Sequence, residues 1–231
     1  MAQSGDLAKM AVGRYGTIAT NVLSSENGDS PVKNWKGAGF RDFPIATHAN
    51  NLNPQSIMDH QVKKYHCFNC PLGCGSILRV DEAGLEETHK PEYETCCAFG
   101  TLQLNKDMTA IYRINEYCNR AGFDTISAGS TVAFAIECYE QGIITKKDTG
   151  GIELSWGKPE SVMTLLEMMA ERKGIGNVLA DGAKKAAKRL GKGSEQFAAQ
   201  AGGQELPMHD PRFDPGFAVA YTLEPTPGRH T

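Results

Sequence analysis

The sequence predicts a mainly α, multihelical fold with one small β-hairpin after a cysteine motif, and three observations predict it. From Pro91 onward, apolar residues recur at helical spacing. The clearest hairpin signal is Asp81-Glu-Ala-Gly84, set between two short apolar-containing runs at 76–80 and 85–88. Proline and glycine bracket the clearest periodic segment, 159–173, with Pro159 at its start and Gly174 past its end.

The elements follow in order. Residues 6–23 carry Leu7, Met10, Ala11, Tyr15 and Ile18 at helical spacing, weakened by Gly13 and Gly16. Residues 25–52 read as a long irregular segment pinned by Trp35, Phe40 and Phe43. Asn53-Pro54 reads as an N-cap with proline in the first turn, opening a helix through about residue 64. The cysteine motif and the hairpin come next, and then helices at 92–104, 107–120, 125–141, 159–173, 177–190 and 216–223. The helix at 159–173 is the clearest, with Val162, Leu165, Leu166 and Met169 on one face. At 177–190, Val178, Leu179, Ala183, Ala186 and Leu190 face inward, while Lys184, Lys185, Lys188 and Arg189 make a solvated face. The expected division is a central helical domain over 1–150 and the start of a second helical domain over 151–231.

With 231 residues, 40% of them hydrophobic and 22% charged, the chain can bury a substantial core. A formal charge of −3 gives no electrostatic case for nucleic acid or an anionic membrane. No run approaches the ~18 apolar residues of a membrane helix, and no secretory segment opens the chain. Seven cysteines, three of them clustered and two adjacent, do not resemble a secreted disulfide framework. A reducing compartment, the cytoplasm, is therefore expected. The sequence begins within a helical pattern and stops at Pro225-Thr-Pro227-Gly-Arg-His-Thr231, which reads as a piece of a longer protein.

The chemistry concentrates in Cys67-Phe-Asn-Cys70-Pro-Leu-Gly-Cys74. Three thiolates at C-x2-C-x3-C spacing suit one soft metal centre and leave it one ligand short. Zinc would take His66 or His89 as the fourth ligand; a cubane cluster would take a remote thiolate, and in this chain alone Cys96 or Cys97 is a candidate. The absence of a second C-x2-C unit favours the cluster. Cys96, Cys97, Cys118 and Cys138 otherwise read as buried small apolar residues. Glu92 and Glu94, at a helix start, read on their own as solvated residues favoured by the helix dipole. His209, in Met208-His-Asp210-Pro, reads as a turn histidine bonded to its neighbour.

These residues carry a resemblance. The cysteine motif, Pro91-Glu-Tyr-Glu-Thr95, Asn119-Arg-Ala-Gly122-Phe-Asp124-Thr-Ile-Ser-Ala-Gly129, Gly174-Ile-Gly176 through Gly182, and Glu205-Leu-Pro-Met-His-Asp210-Pro-Arg212 through Gly228-Arg-His230 occur in one order. That ordered set resembles the tungsten-containing aldehyde:ferredoxin oxidoreductase family. The resemblance implies a multihelical fold from the middle and part of the last domain of such an enzyme, with a β-rich pterin-binding domain before Met1. It implies that Cys67, Cys70 and Cys74 hold a [4Fe–4S] cluster, with the fourth cysteine beyond Thr231. Asn119, Gly122, Phe123 and Asp124 would contact a tungsten (or molybdenum) bis-pterin. The family motif has Asp and Leu where this chain has Asn119 and Phe123, which removes one charge from the pterin contact. Asp124 could equally cap the helix that follows it. Glu94, or its equally spaced rival Glu92, and His230 would move protons during oxidation of a small aldehyde or acyl substrate, with ferredoxin or a similar acceptor as partner and a homodimer compatible with the family. A same-family aryl-CoA reductase subunit and a non-catalytic zinc or iron–sulfur module are the competing readings.

Overall fold

The computed structural model of the chain describes residues 6–226 and Gly228, with side chains from Ala11 onward. The mainly α prediction holds, and the differences lie where tertiary contacts override local pattern. The single helix expected at 6–23 is instead α1 (Asp6–Tyr15), a 3-10 turn (Gly16–Thr20) and α2 (Asn21–Asn27). The break falls at Gly16, whose φ of +74° suits glycine.

In the irregular segment that follows, Phe43 is buried and Trp35 packs against the core, while Phe40 is exposed and pins nothing. Lys33, Asn34 and Trp35 all have positive φ. This left-handed turn is unfavourable for side-chain-bearing residues. It is held by Lys33 N–H and Asn34 N–H donating to the carbonyls of Thr101 and Leu102. A short helix α3 (Gly39–Asp42) and a 3-10 turn (Ala49–Leu52) complete the stretch.

The helix expected at 53–64 shrinks to α4 (Pro54–Met58), capped as read by Asn53, whose side chain accepts from Gln55 N–H at 2.8 Å. The chain then forms a strand, β1 (Gln61–Tyr65), which pairs antiparallel with β2 (Gly75–Val80). β2 pairs in turn with β3 (Leu85–His89), giving a three-stranded sheet in the order β1-β2-β3. The expected hairpin is therefore its second half, and the cysteine turn is the loop of the first half, with Tyr65 opposite Gly75. Lys63 and Lys64 on the exposed edge strand discourage further pairing.

The helical part follows as α5 (Tyr93–Phe99), α6 (Met108–Ala121), α7 (Thr125–Glu140) and α8 (Pro159–Glu171). The helix expected at 177–190 is split into α9 (Ile175–Leu179) and α10 (Ala183–Leu190). Gly182, at φ +90°, turns the chain so that buried Glu205 can accept from Ala183 N–H at 2.7 Å. A two-residue ladder, β4 (Gln200–Ala201) with β5 (Gln204–Glu205), precedes α11 (Pro215–Leu223).

α7 is buried on nearly every side, from Ile126 to Cys138, which makes it the central helix of the main core. That core draws on Phe99, Phe134 and Ile144, and on Val162, Leu165 and Leu166 of α8. A smaller cluster of Ile18, Ile57, Leu78, Val80, Cys96 and Tyr112 lies under the three-stranded sheet. Cys96, Cys97, Cys118 and Cys138 are buried as expected. Burial pushes the Cys96, Cys118 and Cys138 thiols up to about 12, with Cys97 higher still. Among the described residues, no helix is long and apolar enough to cross a membrane.

Candidate active site

The cysteine turn closes the β1–β2 hairpin and is tightly shaped. Cys70 N–H donates to the Cys67 carbonyl at 3.0 Å, and His66 Nδ1 lies 3.1 Å from the Cys70 carbonyl oxygen. Gly73 has φ +59°, and a Cβ there would come within 2.3 Å of the His66 ring. A side chain there would be strained at that φ and would displace the His66 ring. Cys67 is exposed, and Cys70 and Cys74 are half-buried.

Of the zinc alternatives, His66 turns Nδ1 to the Cys70 carbonyl within the motif itself and His89 Nδ1 lies 3.0 Å from the Tyr65 hydroxyl, which leaves Nε2 as the nitrogen either could offer. Among the described residues, no three His, Cys, Asp or Glu side chains converge to hold a metal ion. Three thiols spread over one glycine-shaped loop suit a cluster, in which each thiolate binds a separate iron, better than a single ion that must draw all its ligands to one point.

Beside this turn lies a cavity of about 580 Å³, bounded by the ends of β1 and β3, the start of α5, the end of α6 and the start of α7. It gathers Glu92, Glu94, Asn119, Phe123 and Asp124 with the zinc candidate His89, all singled out in the sequence, and adds Lys90 and Asn115. Gly122 does not line it. With φ +73° and open space where a Cβ would go, Gly122 ends α6 in a left-handed cap. Asp124 caps α7, accepting from Ser127 N–H at 3.2 Å, and still borders the cavity. Thr95 and Thr125 hydrogen-bond at 2.9 Å and tie α5 to α7 at the cavity wall.

The two glutamates differ in their surroundings. Glu92 accepts from Thr17 Oγ1 at 2.6 Å and from Thr17 N–H at 3.2 Å, and it pairs with Lys90. Glu94 is half-buried and accepts from Met208 N–H at 2.8 Å. Burial raises the Glu94 pKa, and the Met208 N–H and His209 oppose that rise without cancelling it.

His209 departs from expectation. Its partner is not the adjacent Asp210, which instead holds Arg212 through paired contacts. His209 Nδ1 lies 2.8 Å from Asp29 Oδ1, and Nε2 lies 3.7 Å from Glu94 Oε1. The ring stacks between Tyr93 and Phe217, each with its centroid 5.0 Å away. Burial pushes the His209 pKa down, but Asp29 and Glu94 outweigh it and the net direction is up. For Asp29 burial pushes upward, while the His209 hydrogen bond and charge hold the pKa below its ordinary value. Nothing near Asp29 in the sequence marked it as a partner for a residue 180 positions away. His230, the other predicted proton carrier, lies outside the described residues.

Comparison with known proteins follows the same lines. The family described as aldehyde ferredoxin oxidoreductase, domains 2 and 3, matches residues 2–231. The tungsten-containing aldehyde ferredoxin oxidoreductase of Pyrococcus furiosus is 33% identical over 218 residues, covering 94% of this chain and 34% of that protein. Its counterpart in Thermococcus kodakarensis is 31% identical over 219 residues, with the same coverage. An aliphatic sulfonate oxidoreductase, WOR-like subunit, of P. furiosus is 28% identical over 218 residues, covering 90% of this chain and 34% of that protein. The chain thus spans about a third of the length of these relatives.

Among solved structures, the active-site complex BamBC of benzoyl-coenzyme A reductase superposes with a TM-score of 0.71 at 24% identity, covering 88% of this chain and 30% of that one. That likeness establishes the fold. The match to the family over nearly every residue establishes kinship: this chain belongs to the aldehyde ferredoxin oxidoreductase family, matching the region described as its domains 2 and 3.

Proposed function

We propose that this chain forms part of a tungsten (or molybdenum) bis-pterin oxidoreductase of the cytoplasm. The enzyme would oxidise a small aldehyde to its carboxylic acid and pass the electrons to ferredoxin or a similar acceptor. The observation that carries the reading is the cavity. It joins Glu94, Asn119 and Asp124 to the edge of the hairpin whose loop presents Cys67, Cys70 and Cys74.

In this reading the three cysteines ligate a [4Fe–4S] cluster, and Asn119, Asp124 and the backbone around Gly122–Phe123 receive a pterin. The donor chemistry fits. A pterin's amino and ring N–H groups match a carboxylate and an amide oxygen, both of which border the cavity. When bound, the metal–pterin centre supplies the two-electron redox chemistry and the cluster the one-electron relay.

The chain's own part is proton handling and exclusion of water. Converting an aldehyde and water to an acid releases two protons with the two electrons. Glu94 takes a proton at its carboxylate, and the burial that raises its pKa brings it toward the working pH. His209, oriented by Asp29, offers Nε2 as the next acceptor, and His230 completes the proton path in this reading. Asp124 has two oxygens, so it can cap α7 with one and meet the pterin with the other.

The test is analysis of the holoenzyme purified without oxygen. Iron and acid-labile sulfide in cluster stoichiometry, tungsten or molybdenum with pterin, and aldehyde-dependent dye reduction are expected. Cys70→Ser should lower iron content while leaving the pterin in place. Stoichiometric zinc without sulfide would overturn the reading.

A further inference from the structure

We propose that Lys90 is a buried cation placed to raise the reduction potential of the iron–sulfur cluster, an inference that rests on the cluster assignment above. The Lys90 side chain is 0% exposed and its ammonium pairs with Glu92. Lysine is almost never fully buried, and a buried ion pair seldom outperforms apolar residues of similar size for stability alone. The position of this charge therefore calls for a reason beyond packing.

Three contacts define that position. Lys90 N–H donates to the Ser76 carbonyl at 2.8 Å, extending the β2–β3 pairing to the residues just after Cys74. A Cβ built on Gly16 would lie 2.6 Å from Lys90 Nζ, 2.9 Å from Glu92 Oε2 and 3.1 Å from the Cys74 carbonyl oxygen. The ammonium and the last cysteine of the motif thus meet at one glycine, whose positive φ brings the chain in close. Lys90 and Glu92 also line the cavity, so the charge stands between the cysteine turn and the space assigned to the pterin.

The pair does not cancel as seen from the turn. Glu92 is 38% exposed, so water screens its negative charge, whereas the Lys90 ammonium has no such screening. The less screened member of the pair is therefore the cation. Reduction adds one negative charge to the cluster, and a nearby buried cation favours that state. A unit charge roughly 10 Å away at an effective dielectric near 20 alters an equilibrium constant about tenfold.

The experiment is an EPR-monitored redox titration of the cluster in the holoenzyme. Lys90→Met should lower the potential by about 59 mV, the equivalent of a tenfold change for a one-electron couple. Lys90→Arg should stay near the parent, and Glu92→Gln should move the potential upward because it leaves Lys90 without its countercharge. An anchoring role alone would alter cluster content or stability and leave the potential in place. If Lys90→Met and Glu92→Gln both assemble the cluster at the parental potential, the inference fails and the cluster assignment stands. If Lys90→Met assembles no cluster, Glu92→Gln and Lys90→Arg decide in the same way. A parent protein with zinc and no cluster would overturn both.

Discussion

Replacing Gly129 with alanine sets two effects of opposite sign against each other. Gly129 lies inside α7, where alanine is favoured over glycine by about 1 kcal/mol at an unconstrained position. Here a Cβ would stand 2.6 Å from Ala98 Cβ, 2.9 Å from the Ala98 carbonyl oxygen and 3.0 Å from its carbon. These are backbone and Cβ atoms of α5, which cannot rotate away. Ordinary carbon–carbon contact is about 3.5–4.0 Å, so α5 and α7 must part by about 1 Å. Such overpacking costs about 1–3 kcal/mol.

The separation also strains two bonds between these parts of the fold. One is Gln103 Nε2 donating to the Gly129 carbonyl at 3.0 Å, and the other is the Thr95–Thr125 pair at 2.9 Å. Each is worth about 1 kcal/mol. The propensity gain is overtaken, and Gly129→Ala should destabilise the chain by about 1–3 kcal/mol in urea unfolding. Because α5 carries Glu94, cofactor retention in the holoenzyme should fall as well. A variant as stable as the parent, or more stable, would refute the close-contact argument.

Other outcomes follow from the same geometry. Asp124→Ala should cost about 1 kcal/mol through loss of the α7 cap. Asp124→Asn should keep the cap and lose pterin, so a variant that retains both stability and pterin content would reduce Asp124 to a cap. The Asp29–His209 pair should stabilise the fold most near pH 5. The raised His209 contributes fully below ~6.5 and loses that contribution as pH rises through its folded pKa, while the lowered Asp29 contributes above ~3.9 and loses it as pH falls through its own. The stability difference between parent and His209→Gln should therefore peak there, and a difference that is flat with pH would contradict it. In the holoenzyme, Glu94→Gln should lower kcat by about 10²–10⁴-fold and remove the acid limb of the pH profile. A loss in KM alone would assign Glu94 to binding.

The parts legible in the sequence are those decided locally. The α8 stripe, the Asn53 and Asp124 caps, the 81–84 turn and the cysteine motif each depend on residues a few positions apart. The parts that were not legible depend on distant contacts. β1 has a sequence, Gln-Val-Lys-Lys-Tyr, that suits helix or strand, and only pairing with β2 decides it. The 177–190 helix breaks because Glu205 reaches the second half's N-terminus, a contact 22 residues away. The site divides similarly. Glu94, Asn119 and Asp124 carry recognisable motifs, whereas Asp29 and Lys90 owe their importance to what folds against them.

The junction of these distant contacts is α5, and its length makes the point. Seven residues form two turns, too few for a helix to persist alone in water. Each neighbouring residue is fixed from a different direction. The Tyr93 hydroxyl donates to the Met208 carbonyl at 2.7 Å, Glu94 accepts from Met208 N–H, and Thr95 meets Thr125. Cys96 packs into the small core beneath the sheet and Cys97 into the main core. A helix held by its tertiary partners inherits its position from all of them, so Glu94 is set by the sheet, by α7 and by the 208–209 segment together. That is the preorganisation a proton-transfer group requires, since a carboxylate free to swing would spend the reaction reorienting. The Pro91-Glu-Tyr-Glu-Thr95 segment is therefore a structural junction first, and the proton transfer proposed for Glu94 would depend on that rigidity.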